Sequence, residues 1–119
     1  MTHVQIDELD RIEMAEGFVW RPVRRRFGIK AFGVNAYSPR EAGAQVIEEH
    51  TESTLGHEEI YFVLRGRARF TCDGEPVELG PGGMLWVEHE VTRDAVALED
   101  GTLVLCVGGT PGRPYQPEA

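Results

Sequence analysis

No apolar run in the chain approaches the ~18 residues that a membrane-spanning helix requires, so no membrane partner is expected. The opening stretch, MTHVQIDELDRIEM, is charged from Asp7 onward and has no apolar segment of the signal-peptide kind, which places the expected setting in the cytoplasm. Cysteine is scarce: Cys72 and Cys106 are the only two. They lie far apart in apolar runs, which argues against a disulfide framework or a close-spaced redox pair and reads as buried thiols in a reducing compartment. Positive charge is also short, with twelve Lys and Arg against twenty Asp and Glu and a net charge of -8. Such a balance repels a phosphate backbone, so no nucleic acid is expected as a general partner. The short basic run Arg24-Arg25-Arg26 accordingly reads as a solvated edge strand carrying protective charge. Helical periodicity is nearly absent too. The one stretch that shows it, Ile6 to Met14 with Ile6, Leu9 and Ile12 near one face, is short and reads as a helix or an irregular arm.

What the chain does have is punctuation. Fourteen glycines and seven prolines separate short β-branched and aromatic runs, the pattern of an all-β sandwich or barrel. The predicted strands are Ala44 to His50, Glu58 to Leu64, Arg67 to Cys72, Val77 to Leu79, Met84 to Val87, Arg93 to Leu98 and Thr102 to Val107. Asp73-Gly74 reads as a two-residue hairpin turn, and Pro81-Gly82-Gly83 and Asp100-Gly101 as further turns. A chain of 119 residues is about one domain and closes one core. Residues 43–109 are its barrel, 1–42 an N-terminal arm with edge strands, and 110–119 an extended polar tail. Ile60 to Leu64 does not alternate, so both faces of that strand need cover. One face looks into the barrel; the other predicts the arm, anchored by Phe18, Trp20, Phe27 and Phe32, or a second copy in a homodimer.

The segment Gly43-AQVIEE-His50-T-Glu52-STLG-His57-E-Glu59-IYFVLR-Gly66 resembles the first motif of the cupin superfamily, and GEPVELGPGGMLWV, Gly74 to Val87, resembles the opening of the second. The resemblance spans Gly43 to Gly109 and implies a cupin double-stranded β-helix, or jelly-roll barrel. In that family two histidines and a glutamate of the first motif, with one histidine of the second, bind a divalent metal, often iron, manganese, nickel or zinc. Carried over by position, His50 matches the first histidine and Glu59 the glutamate. The second histidine falls on Glu52, and the second-motif histidine on Arg93, whose guanidinium cannot ligate a metal.

Strand parity bears on the same residues, because side chains two apart share a face. Glu48, His50 and Glu52 fall on one side, and His57, Glu59 and Tyr61 on one side of the next strand. With Glu59 inward, as the resemblance implies, these residues and Arg93 form a polar cluster at one end of an apolar interior. Three readings compete. His50, Glu52, His57 and Glu59 hold one divalent ion, zinc, iron, manganese or nickel; or Arg93 pairs with Glu52 and Glu59 and stands where the metal would; or the group is a solvated rim. His3 and His89 read as surface residues, His89 being near enough to reach the barrel mouth. Trp86, Phe70 and Met84 read first as core and second as pocket lining.

Two function classes follow. One is a non-catalytic module that binds a small molecule in a pocket of Glu48, Tyr61, Trp86 and Arg93, with Arg93 anchoring a carboxylate. The other is a metal-dependent oxygenase or isomerase using His50 and Glu59, in which Glu48, Glu59 or Tyr61 moves a proton. The shortage of secure ligands favours the first.

Overall fold

Asp73 and Gly74 both take positive φ, 47° and 83°, the backbone that a two-residue hairpin needs to match strand twist. β6 (Ala68–Cys72) therefore folds straight back onto β7 (Glu75–Leu79), with Cys72 opposite Glu75. The structure is a computed structural model and describes residues 1–117. It is all-β, with two antiparallel sheets. One runs in the order β1 (Ile12–Glu13), β2 (Phe18–Arg21), β3 (Gly33–Pro39), β10 (Leu103–Gly109), β5 (Glu58–Arg65), β8 (Met84–Val87). The other runs β4 (Gln45–His50), β9 (Arg93–Ala97), β6, β7. Val46, Ile47, Tyr61, Val63, Phe70 and Val104 fill the space between them as one buried core. Each of the seven predicted runs is a strand, with ends shifted by a residue or two.

Of the two readings of Ile6 to Met14, the irregular arm holds and the helix does not: a single 3-10 turn at Ile6–Glu8 gives way to β1, where Ile12 pairs with Trp20. Arg21 Nη1 donates to the Leu9 carbonyl at 2.9 Å, and buried Leu9 anchors the segment. Tertiary contacts thus outweigh a marginal local propensity. Nor is Arg24-Arg25-Arg26 an edge strand. Pro22 has no N–H with which to continue the ladder, and the chain turns instead into a short helix α1 (Val23–Phe27). Gly28 ends it in the left-handed region at φ 69°, donating to the Arg24 carbonyl at 2.9 Å.

In β5 the period of two decides what the doubly apolar run does. Tyr61 and Val63 are buried inward, while Ile60, Phe62 and Leu64 point out. β8 follows the same parity through its pairing of Trp86 with Ile60 and Met84 with Phe62. Trp86 and Met84 are therefore outer-face residues, 55% and 62% exposed, and the reading of either as core is corrected. Phe70 is core as expected, and Val87 is the inward residue of β8. Cys106 is buried and Cys72 half-buried, both as free thiols. Among the described residues no helix is long and apolar enough to cross a membrane.

Candidate functional site

β4 delivers His50 at its last residue, and the loop to β5 carries Glu52 and His57 before Glu58 starts the next strand, with Glu59 second in it. Backbone bonds pin that loop: Glu52 N donates to the His89 carbonyl at 2.8 Å, and Gly56 N to the Glu52 carbonyl at 2.8 Å. His89 thus reaches the site through its backbone. A register shift between Ile47 and His50 sets His50 opposite Arg93 of β9. Gly108 sits opposite Glu59, and a Cβ there would lie 2.7 Å from the Glu58 carbonyl and 2.8 Å from Glu59 Cγ, so glycine lets the two strands close around Glu59.

Nδ1 of His50 lies 2.7 Å from the Glu48 carbonyl, which can only accept, so that nitrogen carries the proton of the bond. Nε2 is thereby aimed at Glu52 Oε2, 2.8 Å away, with Glu59 Oε1 at 3.9 Å. Burial pulls the imidazolium down, but the Glu52 hydrogen bond, the Glu48 carbonyl and the charges of Glu52 and Glu59 outweigh it, and His50 titrates above its ordinary value. Glu59 is the hub of the cluster. Its Oε1 accepts from Tyr61 Oη at 2.7 Å and from Arg93 Nη1 at 3.4 Å. Burial, with Cys106 and Glu59 alongside, pushes the Tyr61 phenol well up, so it stays a proton donor.

Arg93 is 0% exposed. Besides Glu59 it meets Glu52 Oε2 at 4.0 Å and donates from Nη2 to the Glu88 carbonyl at 2.6 Å. It lies behind the carboxylates and does not line the cavity, which corrects its expected role as anchor for a ligand carboxylate: the guanidinium is enclosed by the protein's own acids. Trp86 is likewise outside the cavity, in a shallow hollow on the outer face beside Phe32 and Ile60. Glu48 and Tyr61 do line it. Of the four metal-ligand candidates, His50, Glu52 and Glu59 bring one donor atom each within 4.8 Å of one another. His57 stands apart, buried, with Nδ1 3.4 Å from Glu52 Oε1 and with no hydrogen-bond partner for Nε2 among the described residues.

The cavity has a volume of about 210 Å³, and much of its wall comes from arm and tail residues that sequence reasoning missed. Phe18, Trp20, Asn35 and Tyr37 are on β2 and β3, Arg24 and Arg25 on α1, and Tyr115 on the tail. Trp20 Nε1 donates to Asn35 Oδ1 at 2.9 Å, and Phe18 meets Tyr37 edge-on at 5.7 Å. Tyr115 stacks on His57 with ring centres 5.2 Å apart, and a Cβ on Gly33 would collide with its ring. Hence the tail is not merely a polar surface segment; its last two residues, Glu118 and Ala119, lie outside the described residues. The alternation of β2 and β3 and the lone aromatic in the tail were the available signals.

Two antiparallel sheets closed over a cavity with a charged floor define a small β-barrel of the jelly-roll kind. Residues 40–109 match the Cupin domain family, and the chain belongs to it. Among solved structures, KdgF from Halomonas sp. is similar at 20% identity with a TM-score of 0.78, covering 99% of this chain and 96% of that one. A cupin-superfamily sugar phosphate isomerase from Silicibacter pomeroyi aligns at 19% identity and TM-score 0.73, over 90% of this chain and 74% of its own. The polyketide cyclase RemF from Streptomyces resistomycificus aligns at 16% identity and TM-score 0.71, over 100% and 82%. Comparison with curated proteins finds no match. At these identities the likeness is one of fold.

The donor set fits a divalent ion in part. His50, with Nδ1 held by a carbonyl and Nε2 facing two carboxylates, has the arrangement of a metal-ligating histidine. The fourth family position, however, holds a cation.

Proposed function

We propose that this chain is a small-molecule-binding cupin whose charged floor is complete without a metal. The observation behind this reading is the fully buried Arg93 guanidinium, 3.4 Å from Glu59 and 4.0 Å from Glu52. A buried charge is tolerated only when paired. Glu52 and Glu59 already face the Arg93 guanidinium and the His50 imidazole, which their charges make more basic. A divalent ion would have to sit beside a guanidinium. Above the floor, Glu48 and Glu59 present acceptors to a ligand, and the aromatic wall of Phe18, Trp20 and Tyr37 supplies apolar contact.

The clustering of three donor atoms within 4.8 Å supports a second reading, a metal-dependent enzyme. Such an ion, held by His50, Glu52 and Glu59, would polarise a bound oxygen as a Lewis acid. Tyr61, which donates to Glu59 at 2.7 Å and lines the cavity, would hold a proton beside the site. The fold neighbours include a sugar phosphate isomerase and a polyketide cyclase, so the barrel is compatible with catalysis. Metal analysis of the purified protein, with thermal melts in and out of chelator, separates the two. The first reading expects substoichiometric metal and an unchanged melting temperature; stoichiometric metal that survives gel filtration, with a chelator-induced drop, overturns it.

A further inference from the structure

We propose that Arg24 and Arg25 form an anion anchor at the mouth of this cavity and select a small planar carboxylate. The inference rests on the cavity being a ligand site and adds what that ligand must carry.

The lining of the cavity carries both signs of charge: Glu48, Glu52 and Glu59 with His50 and His57, and, among the described residues, two arginines, Arg24 and Arg25 of α1. In a chain with twenty acidic residues against twelve basic ones, neither of these two arginines pairs with a carboxylate among the described residues. Arg24 makes only a long 3.5 Å bond to the Ile29 carbonyl. Both are nonetheless positioned. The Arg25 guanidinium lies 4.7 Å over the Trp20 ring, itself held by Asn35, and that of Arg24 lies 5.7 Å from the Tyr115 ring. A guanidinium held over an aromatic ring can still turn N–H groups at its edge toward a carboxylate, and it can receive one bidentately.

The aromatic walls set the rest of the ligand. Phe18, Trp20 and Tyr37 accept a planar apolar body, and the carboxylates of the floor repel an anion and accept from a hydrogen-bond donor. The ligand therefore binds with its carboxylate toward α1 and its donor end toward Glu48 and Glu59. Arg26, next in sequence, does not line the cavity and serves as an internal control for bulk charge.

The test compares 2-naphthoate with 2-naphthamide, which have nearly the same shape and differ in charge, by titration calorimetry on the full chain. Wild type is expected to bind the carboxylate at least about tenfold more tightly, the scale of one good charge-assisted contact. That ratio falls to near one in Arg24→Gln/Arg25→Gln, persists in Arg26→Gln, and is only partly kept in Arg24→Lys, which retains charge but loses the fork. Matching melts and near-ultraviolet circular dichroism confirm that the variants are folded. A wild-type ratio near one, or a ratio that survives the double substitution or falls equally in Arg26→Gln, overturns the anchor while leaving the pocket intact. Failure of both probes to bind wild type overturns the pocket reading and the anchor with it.

Discussion

Arg93 of β9 and Glu59 of β5 meet across the barrel, Nη1 3.4 Å from Oε1, and so tie the four-stranded sheet to the six-stranded one through a largely enclosed ion pair. The pair stands at the position where the family pattern puts a metal ligand. A contact that elsewhere would come from a bound ion is here part of the polypeptide.

Removing it has a sign and a size. Arg93→Ala leaves Glu52 and Glu59 facing a cavity with no guanidinium behind them, and stranding a buried charge typically costs about 3–5 kcal/mol near neutral pH. In the variant the stranded carboxylates hold a proton more readily in the folded than in the unfolded chain. Stability is therefore regained as pH falls and lost as it rises. Urea melts at pH 7 and pH 5 should show the deficit shrinking in acid; a deficit that is small, or independent of pH, counts against the pairing.

Arg93→His restores an imidazole at the fourth family position beside His50, Glu52 and Glu59. The variant is expected to bind zinc or manganese more tightly than wild type and to melt higher with metal than with chelator. Calorimetric titration of both proteins checks it. Equal affinities would mean that the floor is not arranged around a metal position at all.

Alkaline stability should follow the buried proton donors. Burial, with the carboxylates of Glu59 and Glu52 nearby, pushes the Cys106 thiol well above its ordinary value of 9.0, and burial does the same for Tyr37 and Tyr61. The folded chain then holds protons that the unfolded chain has released. The stability they supply is intact below about pH 9 and declines as pH rises toward the raised values. Melting temperature measured from pH 8 to 11 should fall, less steeply in Cys106→Ala. Under native conditions Ellman's reagent should reach Cys72 before Cys106, which is enclosed.

On the outer face of the six-stranded sheet, Ile60 and Phe62 lie beside exposed Leu64, Met84, Trp86 and Phe32. An apolar patch of this kind is unusual on a monomer, so we expect two copies to pair through it. Light scattering at micromolar concentration should give twice the 13.3 kDa chain mass, and Trp86→Glu should halve it. A wild-type monomer defeats this expectation.

Much of the barrel was legible because glycine turns and period-two runs are local signals. Asp73-Gly74 names its own hairpin, and the parity of Glu48, His50 and Glu52 puts them on one face, which the resemblance turns toward the cavity that they line. Arg93 was legible as a substitute for a ligand, but not as an enclosed one, since burial depends on Glu88 and Glu59 arriving from elsewhere. The side taken by Trp86 was hidden because every residue of Met84–Val87 is apolar, and hydrophobicity cannot tell one face from the other. Arg24, Arg25 and Tyr115 escaped because the arm and the tail come together only in three dimensions.

The seat of Tyr115 against Gly33 and His57 has a consequence for how such a protein can change over time. The residue that covers this wall of the cavity belongs to no strand, so it can be lost, lengthened or replaced without breaking a single ladder bond. Variation at a few positions of this extended segment is then enough to alter what enters the barrel, while the fold that supports it is inherited unchanged.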